Sequence, residues 1–274
     1  MALRAFGFGR ERAVAAAEER VGFFTPYLLP AVLGFLGVLA VFIFGRIYQG
    51  QFAISKGLDT SSPAFGHYWY SFLIVELTVY TIVGVSLWGW IWLTRDRHME
   101  LLTPREELKR YIGVLAWIMV MVVPVWMFGW LGEQDGSWHQ TVIRDTHFTP
   151  SHILIFYMNL PLAIIIVGAG WLYAHTRIPQ FSKGVSIAML LVFAGLVLEL
   201  ANVGLNEWGH TFWQPEEIFS SPLHWGFVAL VWLAGPAFFA VAAQLVPRII
   251  ELIREVRDVP VAATQLAPRE GTGS

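Results

Sequence analysis

Residues 70–93 read YSFLIVELTVYTIVGVSLWGWIWL, and Glu76 is the only formally charged residue in the stretch. A helix of roughly 20 apolar residues crosses the hydrocarbon core of a bilayer, so this segment reads as a membrane span. Its length also removes the outer-membrane barrel, whose strands alternate polar and apolar residues over about ten positions. Five further stretches read the same way: Tyr27–Gly45, Tyr111–Trp130, His152–Ala174, Val185–Leu205 and His224–Val246. The expected fold is all-α, a polytopic membrane helix bundle with about six transmembrane helices.

The composition agrees. Of 274 residues, 56% are hydrophobic and 14% charged, with a mean hydropathy of +0.56. A soluble domain carries about 25% charge. The net charge of −2 offers no polyanion-binding surface, so nucleic acid is not an expected partner. Cysteine is absent. That excludes disulfides, thiolate-bound haem, zinc ribbons and cysteine-ligated iron–sulfur clusters, leaving His, Asp, Glu and Asn as possible metal ligands.

Three regions follow along the chain. Residues 1–25 form an amphipathic N-terminal surface segment, with four Arg and three Glu in the first 22 residues around the run Ala13–Ala17. No short apolar region with a small-residue cleavage site comes first, so it does not read as a signal peptide. Residues 26–250 form the transmembrane helical domain. Residues 251–274 form a cytoplasmic tail, partly disordered after Pro260.

Basic residues orient the bundle, because cytoplasmic segments carry the excess of Lys and Arg. Fifteen of the 18 lie in the N-terminal segment, the second-to-third loop, the fourth-to-fifth loop and the C-terminal segment. Only Arg46, Lys56 and Arg144 fall on the other side. Both termini are therefore expected in the cytoplasm. His67, His139, His147, His152, His210 and His224 gather on the outer side, together with seven acidic residues. Such a face attracts cations, although loops are polar for simpler reasons too.

Two outer segments repeat one spacing. Asp135 and His139 lie four apart, one turn along a helix face, and His152 follows Pro150 thirteen residues after His139. Asn206 and His210 are again four apart, and His224 follows Pro222 after a gap of 14. Imidazole suits copper, zinc and iron, and carboxylate adds a hard ligand. Metal ligation and a structural polar network both fit this spacing. Glu207 and His210 match the Glu-x-x-His spacing of di-iron bundles, but the second copy such sites need is missing. Glu76 and Glu199 lie inside predicted spans, as buried hydrogen-bonding groups or as proton-handling ones. Trp138, Trp208, Trp213 and Trp225 near the outer ligands read as interface anchors.

At these residues a family resemblance enters. The run Glu133–His152, the run Thr176-Arg-Ile-Pro179, and Asn202–Trp213 with Pro222-Leu-His-Trp-Gly226 closely resemble the C subunit of particulate methane/ammonia monooxygenases. Gly57-Leu-Asp59 before Pro63, and Thr94-Arg-Asp-Arg97, are similar to that family as well. The resemblance covers the chain from about Gly45 to Val246. It implies a copper-dependent, membrane-bound monooxygenase that uses O2 on methane, ammonia or short hydrocarbons. It implies copper ligands Asp135, His139 and His152 at one site, and Asn206, His210 and His224 at a second. Glu133, Asp145, His147 and Glu207 are candidates to support those ligands. The implied partners are A and B subunits in a trimer of heterotrimers, with quinol as reductant and a small apolar substrate drawn from the lipid bilayer. The implied location is a bacterial inner or intracytoplasmic membrane, with the sites near its periplasmic side. The chain departs from the family pattern at His147, where Asp is more usual; a loop variation is the favoured reading, with an extra ligand or proton relay as alternatives. The competing functional readings are a structural or electron-transfer subunit without its own catalytic metal, a bis-His haem subunit, and a cation transporter.

Overall fold

The structure is a computed structural model. It describes the backbone of residues 2–57, 59–141, 149–184, 186–209 and 225–258, and within these the side chains of 28–57, 59–132, 135, 149–184, 186–203, 205, 226, 229, 233 and 235–257. Every regular element among the described residues is helical. In chain order these are α1 (Ala2–Lys56), α2 (Ser71–Leu93), α3 (Pro104–Thr141), the single turn α4 (Pro150–His152), α5 (Leu160–Arg177), the short α6 (Pro179–Ser182), α7 (Ile187–Gly209) and α8 (Trp225–Asp258). Two π-helical stretches join them: Gly66–Tyr70 leads into α2, and Ile153–Asn159 links α4 to α5.

Five helical runs among the described residues are long and apolar enough to cross a membrane: Leu28–Lys56, Gly66–Leu93, Pro104–Gly132, Pro150–Arg177 and Gly235–Arg257. The remaining predicted span falls on α7, whose apolar stretch Ile187–Val203 is shorter than the others. The all-α polytopic bundle expected from hydropathy is what the chain forms. Helix α1 runs unbroken from Ala2, so the N-terminal segment and the first span share one helix.

Helix α3 is the hub. It packs against α1, α5 and α8, while α2 packs on α5, and α7 on both α5 and α8. Small residues set the closest approaches, as bilayer packing favours. A Cβ at Gly168 would collide with the Trp88 ring, and one at Gly170 with Trp117 and Met121. The seated indoles then bond to the helix that receives them. Trp88 Nε1 donates to the Ile165 carbonyl at 2.9 Å, and Trp117 Nε1 to that of Ile166 at 3.0 Å. The bare faces of α5 thus lock α2 and α3 in register.

One end of the bundle is closed by a polar clasp. Asp96 accepts from Arg110 at 2.7 Å, and Arg110 donates to the Arg177 carbonyl at 2.7 Å. Arg177 in turn donates to the carbonyls of Ile91 and Thr94 at 3.0 and 3.1 Å, and to Thr94 Oγ1 at 2.6 Å. The runs Thr94–Arg97 and Thr176–Pro179 thus meet through Thr94 and Arg177, 83 residues apart in sequence. Glu107 and Arg248 add a two-point bridge from α3 to α8, at 3.1 and 2.8 Å.

The other end holds an aromatic plug. Phe65 and Trp69 are fully buried with Ile153, flanked by Tyr48, Phe52 and Phe72. Tyr48 meets Trp69 edge-on at 5.3 Å and donates from its hydroxyl to the Tyr68 carbonyl at 2.9 Å. Such edge-on pairs are favourable beyond their buried area. The plug grips Ile153 and so fixes the start of the helical run that carries His152.

Candidate metal centre

Asp135 lies near the carboxyl end of α3, and His152 closes the single turn α4. The sequence Thr149-Pro-Ser-His152 builds that turn by local rules. Thr149 is extended and caps it, its Oγ1 accepting the His152 backbone N–H at 3.2 Å. Pro150 sits in the first turn, where a missing N–H costs nothing. The turn then widens into the π-helix Ile153–Asn159. Pro161, just inside α5, lacks the N–H that would bond to Tyr157 and its ring crowds that carbonyl. A widened turn upstream relieves both problems, and such turns often mark functional sites.

The cap brings the two ends together. Ser151 Oγ donates to Asp135 Oδ1, and the Thr149 and Ser151 hydroxyls lie 3.0 Å apart. Asp135 Oδ2 faces His152 Nε2 at 3.4 Å. All four residues are buried, with His152 only 3% exposed. The His152 ring also leans on Phe156, with centroids 5.3 Å apart. Sequence spacing named Asp135 and His152 but missed Thr149 and Ser151; the Thr-Pro helix start was the signal that could have found the cap.

The donor types suit a transition metal such as copper, zinc or iron. A carboxylate oxygen and an imidazole nitrogen are ligands that copper accepts. Their 3.4 Å separation lies at the long edge of direct contact between a carboxylate and an imidazole. It matches two donors each about 2 Å from a shared ion, the distance imidazole keeps to zinc. Among the described residues no three His, Asp or Glu groups converge on one point. The third expected ligand, His139, follows Asp135 by one turn of the same helix, but its side chain lies outside the described residues. So does that of Glu133, while Asp145 and His147 lie outside them entirely.

For the second expected set, the backbone of α7 carries Asn206 and Glu207, whose side chains are outside the described residues, as are His210 and His224 altogether. Their flanks are close. A Cβ at Gly226 would overlap the Asn202 amide, so α7 and α8 touch with only hydrogen at that point. Asn202 lies one turn before Asn206, and Gly226 two residues after His224. Below that crossing, Asn202 Nδ2 donates to Glu199 Oε2 at 3.4 Å. Glu76, buried in α2, has no hydrogen-bond partner among the described residues for either carboxyl oxygen.

These features define a class: a multi-pass α-helical membrane protein that pairs a buried carboxylate with an imidazole at one end of its bundle. The family profile for the C subunit of ammonia monooxygenase/methane monooxygenase matches residues 12–256, and the chain belongs to that family. It is therefore one component of a membrane monooxygenase complex. No curated protein gives a significant match to the chain.

Proposed function

We propose that this subunit holds copper for a monooxygenase that hydroxylates a small hydrocarbon with O2. Asp135, His139 and His152 would hold one ion, and Asn206, His210 and His224 a second. The observation that carries the reading is the buried approach of Asp135 to His152 at 3.4 Å, across 17 residues of sequence, in a chain of this family. Copper when bound supplies the redox chemistry by which one oxygen atom enters a C–H bond. The balance is hydrocarbon plus O2 plus quinol giving alcohol, water and quinone.

The chain's own residues set the geometry for this. Ser151 holds Asp135 Oδ1 by hydrogen bond, which leaves Oδ2 turned toward His152. The Thr149 cap and the buried Ile153 fix where the His152 ring stands. Ligating carboxylates and imidazoles are normally oriented in this way by a surrounding layer of hydrogen bonds. Burial keeps bulk water from the pair. Small alkanes partition into the lipid around the spans, and on that ground the reading prefers a hydrocarbon to ammonia. We place that end on the periplasmic side of a bacterial inner or intracytoplasmic membrane, on the distribution of basic residues. Partner A and B subunits in a trimer of heterotrimers complete the proposed enzyme.

The test uses the purified complex with His139→Ala and, separately, His210→Ala. Copper per complex and quinol-driven O2 consumption are measured with methane, propane and ammonia. Loss of copper and of turnover in both variants is expected, with hydrocarbons preferred. Full copper and full activity in both would overturn the site assignment and favour a subunit without its own metal.

A further inference from the structure

The aromatic plug beside the Asp135–His152 pair contains one costly residue. Trp69 is fully buried, and its Nε1–H has no hydrogen-bond partner among the described residues. Burying an unanswered donor costs about 1–3 kcal/mol. A phenyl ring closes the plug without that cost, as Phe65 does in the same cluster. Packing alone therefore does not account for an indole at this position. An indole also gives up a single electron readily, which a phenyl ring does not. The chain contains no cysteine, so indole and phenol are its side chains most open to one-electron oxidation.

The neighbours of Trp69 continue that property in both directions. Toward the candidate metal centre, Trp69 shares its cluster with Ile153, the residue after His152. Away from it, Tyr48 of α1 meets the indole edge-on, with ring centroids 5.3 Å apart. Tyr48 is only half-buried. Its ring contacts Phe52 at 4.7 Å, and Phe52 contacts the half-buried Tyr68 at 5.0 Å. The Tyr48 hydroxyl donates to the Tyr68 carbonyl at 2.9 Å, which fixes the ring against the indole. An oxidisable pair in edge contact thus runs from a buried position beside His152 to the rim of the bundle. Electrons cross between touching rings far more easily than through the same span of aliphatic side chains.

We infer that Trp69 and Tyr48 form a one-electron escape route, which draws oxidising equivalents away from the Asp135–His152 site when O2 is reduced there without substrate. An electron leaves the Trp69 indole for the oxidised metal centre, which is reduced by one electron while the indole becomes a radical cation. Tyr48 returns that electron to the indole, releases its phenolic proton to water at the bundle end and becomes a neutral radical. A hydroquinone or ascorbate-type reductant then supplies one hydrogen atom and restores the phenol. An indole yields its electron only to a strong oxidant, so the route stays silent while hydrocarbon and quinol are plentiful. The inference rests on the proposed copper site and adds to it a protective role for residues that ligate nothing.

The assembled complex in lipid nanodiscs is reduced, then given O2 without hydrocarbon in the presence of a nitroso spin trap. Trap adducts are mapped by peptide mass spectrometry, and copper is measured on the same samples. An adduct at Tyr48 that requires O2 is expected. Tyr48→Phe should abolish it. Trp69→Phe should lower it severalfold per bound copper and raise oxygen addition on the peptide spanning 149–160. His152→Ala should lose both the copper of that site and the adduct. Undiminished copper in His152→Ala overturns the copper site and this inference with it. Wild-type complex that holds copper but gives no Tyr48 adduct overturns this inference alone. So does an undiminished adduct in Trp69→Phe, or in His152→Ala that has lost its copper. If a variant fails to assemble, the wild-type adduct and its dependence on O2 decide.

Discussion

The two ends of the bundle use polar groups in opposite ways. At the clasp, Asp96, Arg110, Arg177 and Thr94 close on each other and on helix-end carbonyls, with every bond named above at 3.1 Å or less. A planar guanidinium with five donors can saturate several carbonyls at once, so this end is a structural fastening. At the opposite end, Asp135 and His152 come together, buried, at 3.4 Å, with Ser151 held on the other carboxylate oxygen. Charge that is fully answered by its neighbours holds helices together. A carboxylate and an imidazole brought together in a buried place are of the types that ligate metals. The contrast sets a fastening beside the proposed ligand site within one chain, even though both ends are built from residues that the family pattern marks.

The largest effect expected at the open end comes from His152→Ala. Copper at that site should be lost and turnover should fall by about a hundredfold or more, since even supporting residues around metals cost about 10–100-fold. Copper content and quinol-driven O2 uptake measure it. Retained metal would show that this end is merely another fastening. Arg177→Leu should do the reverse, lowering the stability of the complex by about 2 kcal/mol as several charged hydrogen bonds disappear, with copper content unchanged. Denaturant or thermal unfolding in lipid reads the first and metal analysis the second. Ser151→Ala is expected to be milder, weakening copper by about tenfold through loss of the bond that holds Asp135 Oδ1; a metal competition titration measures it.

The smallest effect is acid sensitivity at the clasp. The His98 backbone N–H, and then Arg110, hold the Asp96 carboxyl below its ordinary range. A carboxylate held low stabilises the folded state above its unfolded pKa of about 3.9, and that stabilisation is lost as pH falls through the lowered folded value. Asp96→Asn should therefore flatten the decline of the unfolding midpoint below about pH 4. An unchanged slope would mean that Asp96 contributes nothing to the fastening.

Hydropathy made the spans legible, because the need to satisfy every backbone group in lipid leaves helices as the solution for long apolar runs. The helices extend beyond the apolar stretches. Helix α3 runs on to Thr141, past the apolar stretch that ends near Trp130, and so carries Asp135 and the backbone of His139 on regular helix. Spacing identified Asp135 and His152, since four-residue steps and a Pro-x-His start are local patterns. Ser151 escaped notice because nothing in a serine's neighbours announces a partner 16 residues away. The π-helix beyond His152 left no signal stronger than Pro161.

Sequence alone determined the class of this protein, its spans and its candidate ligands, because lipid, basic-residue bias and ligand chemistry act on composition and short-range order. Tertiary structure decided which of those residues meet. The clasp between Thr94–Arg97 and Thr176–Pro179 and the approach of Asp135 to His152 both depend on helix crossings. Those crossings are set by where Gly168, Gly170 and Gly226 let neighbours in. Close packing between elements distant in sequence carries no local period, so no reading along the chain reveals it.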